Sequence, residues 1–215
     1  MNLVYCYDAY CGWCFGFSGV IKRIATSFKE IIPVDVLSGG MILPAKPVHI
    51  SATAAYIRSA YKTVEETTGV KFGKDYLWHI ENPDDSDWYP HSEKPAIALS
   101  IVKEINPQRA LDFATSLQYA LHAEGRDLTD DEAYRHLLAD YQLPENDFYK
   151  KLHSPLYKEK AYRDFEMVKQ LKVTGFPMLF LKKTAHEFIA ISRGYTDYET
   201  VALRLNTVLY KIKEA

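Results

Sequence analysis

Residues 5–17 read YCYDAYCGWCFGF and hold the most informative pattern in the chain. The apolar run Leu3–Tyr7 shows no clean alternation, as expected for a strand that is buried on both faces of a sheet. After Cys14, apolar residues recur at spacings of three and four, which indicates one face of an α-helix. These residues are Phe17, Val20, Ile21, Ile24 and Phe28. The cysteines therefore lie in the short turn where a strand ends and a helix begins.

This position predicts two-electron thiol–disulfide chemistry for Cys11 and Cys14, which are separated by Gly12 and Trp13. The unpaired N–H groups and the positive dipole end of the helix stabilise a thiolate on Cys11, so Cys11 is the predicted nucleophile. Cys14, one turn further in, is predicted to be more buried and to act as the resolving thiol. It would attack a mixed disulfide between Cys11 and a substrate, and the reverse sequence would oxidise a client.

The cysteine pair could also belong to a zinc knuckle or be a chance pair of buried cysteines. A structural zinc site needs four ligands. Only Cys6 remains, and the seven histidines are scattered without the spacing of a zinc motif, so no metal is expected. Cys6 lies inside the first predicted strand, where a buried structural thiol is favoured over a third redox partner.

The rest of the chain predicts two regions of different character. Pro33–Leu37 reads as a second strand, which gives a βαβ unit, and no convincing strand follows between Pro44 and Glu166. Helical patterns recur there, with a capping box at Thr129–Glu132 and with Ser154 and Pro155 suited to start a helix. Helices are predicted within 48–66, 95–105, 107–124, 130–140, 144–152 and 155–172.

The segment Glu81–Pro90 is polar and reads as a surface loop. Strand patterns return in Met178–Leu181 and Phe188–Ser192 as a hairpin, and Tyr198–Ile212 reads as a final helix. The predicted order is thus βαβ, a helical insertion and ββα. Segments 1–44 and 167–215 are predicted to form one discontinuous domain, and 45–166 a helical domain.

A second candidate element is Gly-Phe-Pro at residues 175–177, just before the third strand. A cis peptide bond before Pro177 would leave the backbone polar groups of Phe176 free to pair with an extended substrate. An ordinary trans proline at a strand edge is the alternative, and the upstream cysteine pair favours the cis form.

Together, residues 5–17, the Gly-Phe-Pro segment and the ββα ending resemble the DsbA-like thioredoxin family, in particular its FrnE-like and cytoplasmic protein-disulfide-isomerase branch. The resemblance implies an α/β thioredoxin-like fold split by a helical domain, with Cys11 as nucleophile, Cys14 as resolving cysteine and Pro177 in the cis form. It also implies that Asp8 and Trp13 shape the redox site and that Ser92 comes near it.

The dipeptide between the cysteines departs from the Pro-His of extracytoplasmic DsbA proteins. Trp13 cannot add the electrostatic stabilisation that a histidine gives to the thiolate, so a moderate rather than a strongly oxidising potential is predicted. Asp8 also fits a simple turn residue at a strand end. A buried Asp8 near the cysteines would oppose the thiolate.

Charge and hydropathy exclude several classes of partner. The formal net charge is −2, and lysine and arginine are spread along the chain, which argues against nucleic acid. No run approaches the ~20 apolar residues of a membrane span, and the N-terminus shows no secretory signal, so a cytoplasmic location is expected. The oligomeric state is left open.

The resulting hypothesis is an oxidoreductase or isomerase acting on protein or small-molecule thiols and disulfides. It needs no cofactor beyond its own redox-active disulfide, and glutathione is a candidate co-substrate. The alternative is a glutathione-dependent isomerase or transferase of the kappa or 2-hydroxychromene-2-carboxylate isomerase type. The resemblance to these relatives implies a serine-based site at the nucleophile position, whereas this chain keeps both cysteines. A third hypothesis is a non-catalytic binding or chaperone module with an aromatic groove.

Overall fold

Four strands form one mixed sheet at the centre of the chain. They are β1 (Asn2–Tyr7), β2 (Val34–Ser38), β3 (Met178–Lys182) and β4 (Phe188–Arg193). The order across the sheet is β2-β1-β3-β4. Strand β2 runs parallel to β1, whereas β3 is antiparallel to both β1 and β4. The predicted βαβ unit and the C-terminal hairpin are therefore confirmed.

The computed structural model describes residues 1–214, so the last residue of the predicted segment 167–215 lies outside them. The helices within this range are α1 (Gly12–Ser27), α2 (Ser51–Thr68), α3 (Lys74–Glu81), α4 (Glu93–Ile105), α5 (Ala110–His122), α6 (Glu132–Asp140), α7 (Glu145–Leu152), α8 (Pro155–Gln170) and α9 (Tyr198–Lys213). Helices α2 to α8 all lie between β2 and β3, so the fold is thioredoxin-like with a large helical insertion. The exact domain boundaries stay a prediction.

Strand β1 is buried on both faces, as its lack of alternation predicted. Leu3, Tyr5 and Tyr7 pack in the main core together with apolar residues of α1. On the other face, Val4 and Cys6 pack in a smaller cluster that includes Val168 of α8. The sheet is thus covered by helices on both sides, and α1 packs against β1, the strand that precedes it in the chain.

The structure corrects the prediction for residues 74–90. Helix α3 is not predicted from the sequence because it is only two turns long and its apolar face is narrow, with Tyr76 and Ile80 as its buried residues. The predicted surface loop Glu81–Pro90 instead contains a short 3-10 helix at Pro83–Asp85, and it buries Trp88 in the core.

The helix-start predictions had mixed outcomes. Ser154 and Pro155 occupy the N-cap and first positions of α8, although the Ser154 side chain makes no capping hydrogen bond. The capping box at Thr129–Glu132 was wrong, because Asp131 is the N-cap of α6. Instead, the Asp127 carboxylate accepts hydrogen bonds from both the N–H and the hydroxyl of Thr129, at 2.8 Å each.

Candidate active site

The cysteine pair lies at the N-terminus of α1, shortly after the carboxyl end of β1. Cys11 is the N-cap residue, with extended backbone angles of φ −83° and ψ 110°, and its carbonyl accepts from the Phe15 N–H at 3.0 Å. Both thiols are free. Cys11 is 7% exposed whereas Cys14 is fully buried, as predicted. Only Cys11 can therefore be reached by a molecule in solution.

The Gly-Phe-Pro segment faces Cys11 across the site. The peptide bond between Phe176 and Pro177 is cis, and the Cys11 thiol donates a hydrogen bond to the Phe176 carbonyl with an Sγ–O distance of 3.6 Å. Gly39, just after β2, lets the Phe176 ring approach, because a Cβ at this position would lie 2.1 Å from the ring. Phe176 thus joins two segments distant from it in sequence, since its carbonyl contacts Cys11 and its ring packs on Gly39.

A buried carboxylate lies directly beneath the pair. Asp8 is 2% exposed, and its two oxygens accept hydrogen bonds from the Tyr10 N–H at 3.0 Å, the Met41 N–H at 2.8 Å and the Ser92 hydroxyl at 3.0 Å. The Asp8 carbonyl accepts from the Cys11 N–H at 3.1 Å. The structure therefore brings Asp8 and Ser92 together, and the Asp8 carboxylate also holds the loop that carries Met41.

Burial governs the ionisation of the groups around Cys14. It raises the pKa of the Asp8 carboxyl above its ordinary value, although the hydrogen bonds from Met41, Tyr10 and Ser92 act in the opposite direction. Burial also raises the pKa of the Cys14 thiol well above its ordinary value, and the neighbouring Cys11 thiol adds to this effect. Cys14 is consequently a protonated thiol in the reduced enzyme, and it must lose this proton before it can attack a disulfide.

Aromatic residues from distant segments, Phe72 and Tyr195, lie on the site beside Gly12 and Trp13. The Trp13 ring lies 6.4 Å from that of Tyr195, which follows β4. On the other side, a Cβ at Gly12 would lie 3.3 Å from the ring of Phe72, which belongs to the insertion. No local sequence signal marks Phe72 or Tyr195, since both reach the site from distant segments.

Two polar residues of α5 lie behind the site. The Gln118 side chain donates to the Asp8 carbonyl at 3.4 Å. His122 stacks on Phe15 with ring centroids 5.1 Å apart, and burial lowers the pKa of His122 to about 4. At neutral pH His122 is therefore an uncharged packing residue.

Cys6 is separate from this site. It lies on the opposite face of β1 from Tyr5 and Tyr7, and it is fully buried. Burial raises the pKa of the Cys6 thiol to about 12. These properties are those of a structural cysteine.

A metal-binding cluster and a membrane-spanning helix are both absent from the part of the chain that the structure describes. Within residues 1–214, no group of three or more histidine, cysteine or acidic side chains is arranged to hold a metal ion. Among the helices described, none is both long and apolar enough to cross a membrane.

A mixed sheet with a Cys-x-x-Cys pair at the start of its first helix, opposite a proline before β3, defines the thioredoxin class of fold. A sequence model of the DSBA-like thioredoxin domain matches residues 3–206, and the chain belongs to this family. It is accordingly an enzyme of the DsbA-like thiol–disulfide oxidoreductase and isomerase kind. No curated protein matches the sequence.

Solved structures with the same fold include a "putative protein disulfide isomerase" from Nitrosomonas europaea. It shares 25% identity with a TM-score of 0.84, over 98% of this chain and 99% of that one. The cytosolic disulfide reductase DsbM of Pseudomonas aeruginosa is 22% identical, covers all of both chains and gives a TM-score of 0.76. A 2-hydroxychromene-2-carboxylate isomerase is 11% identical with a TM-score of 0.62, over 99% of this chain and 96% of that one. The two last likenesses concern the fold alone.

Proposed function

We propose that this enzyme exchanges disulfides through Cys11 as the nucleophile and Cys14 as the resolving cysteine, with the loop at Pro177 docking the substrate. The observation that carries the proposal is the hydrogen bond from the Cys11 thiol to the Phe176 carbonyl, at the N-terminus of α1. A substrate disulfide that reaches Cys11 would lie beside the backbone of Phe176, which suits an extended chain or a small thiol.

The reaction has two balanced steps. The Cys11 thiolate attacks a substrate disulfide, forms a mixed disulfide and releases one substrate thiol, which takes up a proton. Cys14 then loses its proton and attacks the Cys11 sulfur. This closes the Cys11–Cys14 disulfide and releases the second substrate thiol, which gains the proton that Cys14 gave up. Both electrons come from the two cysteines, so no further cofactor takes part.

The proposal includes glutathione as a co-substrate and a cytoplasmic location. Two molecules of glutathione can reduce the Cys11–Cys14 disulfide by the reverse sequence of exchanges and leave as glutathione disulfide. Support comes from the DsbM structure in complex with GSH, which has the same fold with a TM-score of 0.74, and from the description of DsbM as cytosolic.

Trapping of the mixed disulfide tests the two roles. After treatment with glutathione disulfide, Cys14→Ser is expected to accumulate a mixed disulfide between Cys11 and glutathione, visible as a mass increase that dithiothreitol removes. The Cys11 thiolate attacks the glutathione disulfide and releases one glutathione, and the second attack cannot occur. Cys11→Ser should form none. Cys6→Ser is the matched control, and it should behave as the unaltered protein. A mixed disulfide on Cys14 in the Cys11→Ser protein would contradict the assignment.

The reduction potential of the pair identifies the direction of exchange. Equilibration in glutathione buffers, followed by alkylation of free thiols, is expected to give a moderate value of about −180 to −230 mV, typical of exchangers and isomerases. A value near −270 mV would indicate a reductase. Failure to form any disulfide between Cys11 and Cys14 would refute redox exchange. Retained glutathione-dependent isomerase activity in Cys14→Ser would then favour the isomerase alternative.

A further inference from the structure

Two buried tyrosines under α1 have hydroxyl groups that make no well-formed hydrogen bond among the described residues. Tyr5 and Tyr7 lie on the same face of β1, their rings are 5.7 Å apart, and neither side chain is exposed. Among residues 1–214, neither hydroxyl finds a hydrogen-bond partner of good geometry. Buried hydroxyls are nearly always paired, and a buried donor without a partner is costly, so such a group calls for a physical reason.

Cys14 is a neighbour of Tyr5 in the same buried core. Burial first, and then the proximity of the Cys14 thiol, raise the pKa of the Tyr5 hydroxyl well above its ordinary value. Tyr5 therefore keeps its proton at any physiological pH, and it can act only as a hydrogen-bond donor towards a negative sulfur. Tyr7 differs from Tyr5 in its neighbours. After burial, the Asp8 carboxylate raises the pKa of the Tyr7 hydroxyl more than Cys14 does, and Ser38 lies near that hydroxyl.

The groups with the largest effects on a Cys14 thiolate act in opposite directions. The Cys11 side chain and the Asp8 carboxylate oppose a negative charge on Cys14, whereas the Asp8 backbone favours it. A hydroxyl that is unpaired beside a thiol gains a charge-assisted hydrogen bond when that thiol becomes a thiolate. The hydrogen bond is thus stronger in the reacting state than in the resting state, which is the condition for an effect on rate.

We propose that the Tyr5 hydroxyl donates a hydrogen bond to the Cys14 sulfur when Cys14 attacks the mixed disulfide, so that Tyr5 speeds resolution. This inference rests on the function proposed above. In the step concerned, Cys14 gives up its proton and forms a bond to the Cys11 sulfur. The bond between Cys11 and the substrate sulfur breaks, and the departing thiolate takes the electron pair. Tyr5 keeps its own proton throughout.

The two steps can be timed separately with 5,5′-dithiobis(2-nitrobenzoate). Attack by Cys11 releases one coloured thionitrobenzoate, and attack by Cys14 on the resulting mixed disulfide releases a second. Stopped-flow absorbance over a range of pH would compare the unaltered protein, Tyr5→Phe and Tyr134→Phe. Tyr134 is the matched control, because it is equally buried but its hydroxyl donates to the Leu128 carbonyl at 2.6 Å.

In Tyr5→Phe the second release is expected to slow about tenfold, as for the loss of one hydrogen bond to a charged group. Its pH–rate profile should move to higher pH, while the first release stays unchanged. Thermal stability should be unchanged or higher, since the removed hydroxyl has no good partner. Tyr134→Phe should lose stability but keep both rates.

A second release in Tyr5→Phe as fast as in the unaltered protein would overturn the inference. So would equal slowing of both releases, since that would reflect a structural effect. Failure of the proposed function looks different: the unaltered protein itself would then show no second release that depends on Cys14, whatever stands at position 5.

Discussion

At the scale of single residues, the hydrogen bond between Ser92 and Asp8 joins the helical insertion to the redox turn. Ser92 lies immediately before α4, and its hydroxyl both donates to the buried Asp8 carboxylate and accepts from the Ile42 N–H at 3.0 Å. One side chain therefore fixes the loop after β2 and the turn that carries Cys11. The family resemblance implies that Ser92 comes near the site, and the structure shows the contact.

Ser92→Ala should destabilise the protein by about 1.5–3 kcal/mol, the range for a lost hydrogen bond to a charged group. Urea denaturation at pH 7 measures this free energy of unfolding. Ser100→Ala on the same helix is the control. Ser100 is also buried, but its hydroxyl bonds only to the helical Ala96 carbonyl at 3.0 Å, so a smaller loss is expected. Equal losses in both variants would refute a special role for Ser92.

At the scale of elements, the packing of α1 against α2 depends on only one of two glycines that look alike in the sequence. A Cβ at Gly16 would lie 2.6 Å from the methyl carbon of Thr68, whereas a Cβ at Gly19 would meet nothing within 4 Å. Thr68 cannot turn away freely, because its hydroxyl donates to the Val64 carbonyl at 2.7 Å. Gly16 thus permits a close helix–helix contact, and Gly19 does not serve one.

Alanine at these two positions should have opposite effects. Gly19→Ala should stabilise the protein by about 0.5–1 kcal/mol, because alanine favours the helix over glycine. Gly16→Ala should destabilise it by about 1–3 kcal/mol through steric overlap. Thermal unfolding midpoints would show the two signs. A stabilising Gly16→Ala would mean that α2 moves away without cost.

At the scale of the whole molecule, a largely buried ion pair links the insertion to the sheet. Lys103 of α4 lies 2.8 Å from the Asp164 carboxylate of α8, which also accepts from the Ser38 N–H at the end of β2. Burial raises the pKa of Asp164 above its ordinary value, and Lys103 acts in the opposite direction. The carboxylate is therefore tolerated in its buried place chiefly because Lys103 faces it.

Lys103→Met should destabilise the protein by about 2–4 kcal/mol at pH 7, somewhat below the cost for a fully buried pair because Lys103 is partly exposed. Without Lys103, the pKa of Asp164 rises further. A raised carboxyl pKa gives stability that is present below the unfolded pKa of about 4 and is lost as pH rises through the folded value. The defect should therefore be small near pH 4 and grow towards neutrality.

Denaturant titrations between pH 4 and pH 7 would test this dependence. Lys183→Met, which removes an exposed i,i+4 pair with Glu187, is the control and should cost less than about 1 kcal/mol at each pH. A defect in Lys103→Met that does not change with pH would contradict the linkage to Asp164.

By itself, the sequence predicts the strand, turn and helix around the cysteine pair, the helical middle and the ββα ending. These features follow from periodicities and turn residues within short windows, where local backbone preference and burial agree. The short helix α3 and the burial of Trp88 are not predicted from the sequence, because both depend on packing against distant residues rather than on a local pattern.

Only the tertiary structure decided how the site is assembled. The Cys11–Phe176 contact joins residues 165 apart in sequence, and the Ser92–Asp8 contact joins residues 84 apart. Phe72 and Tyr5 likewise lie beside the cysteines because α1 packs against both β1 and the helical insertion. Such contacts depend on how separate segments pack, and a single sequence carries no local signal of that packing.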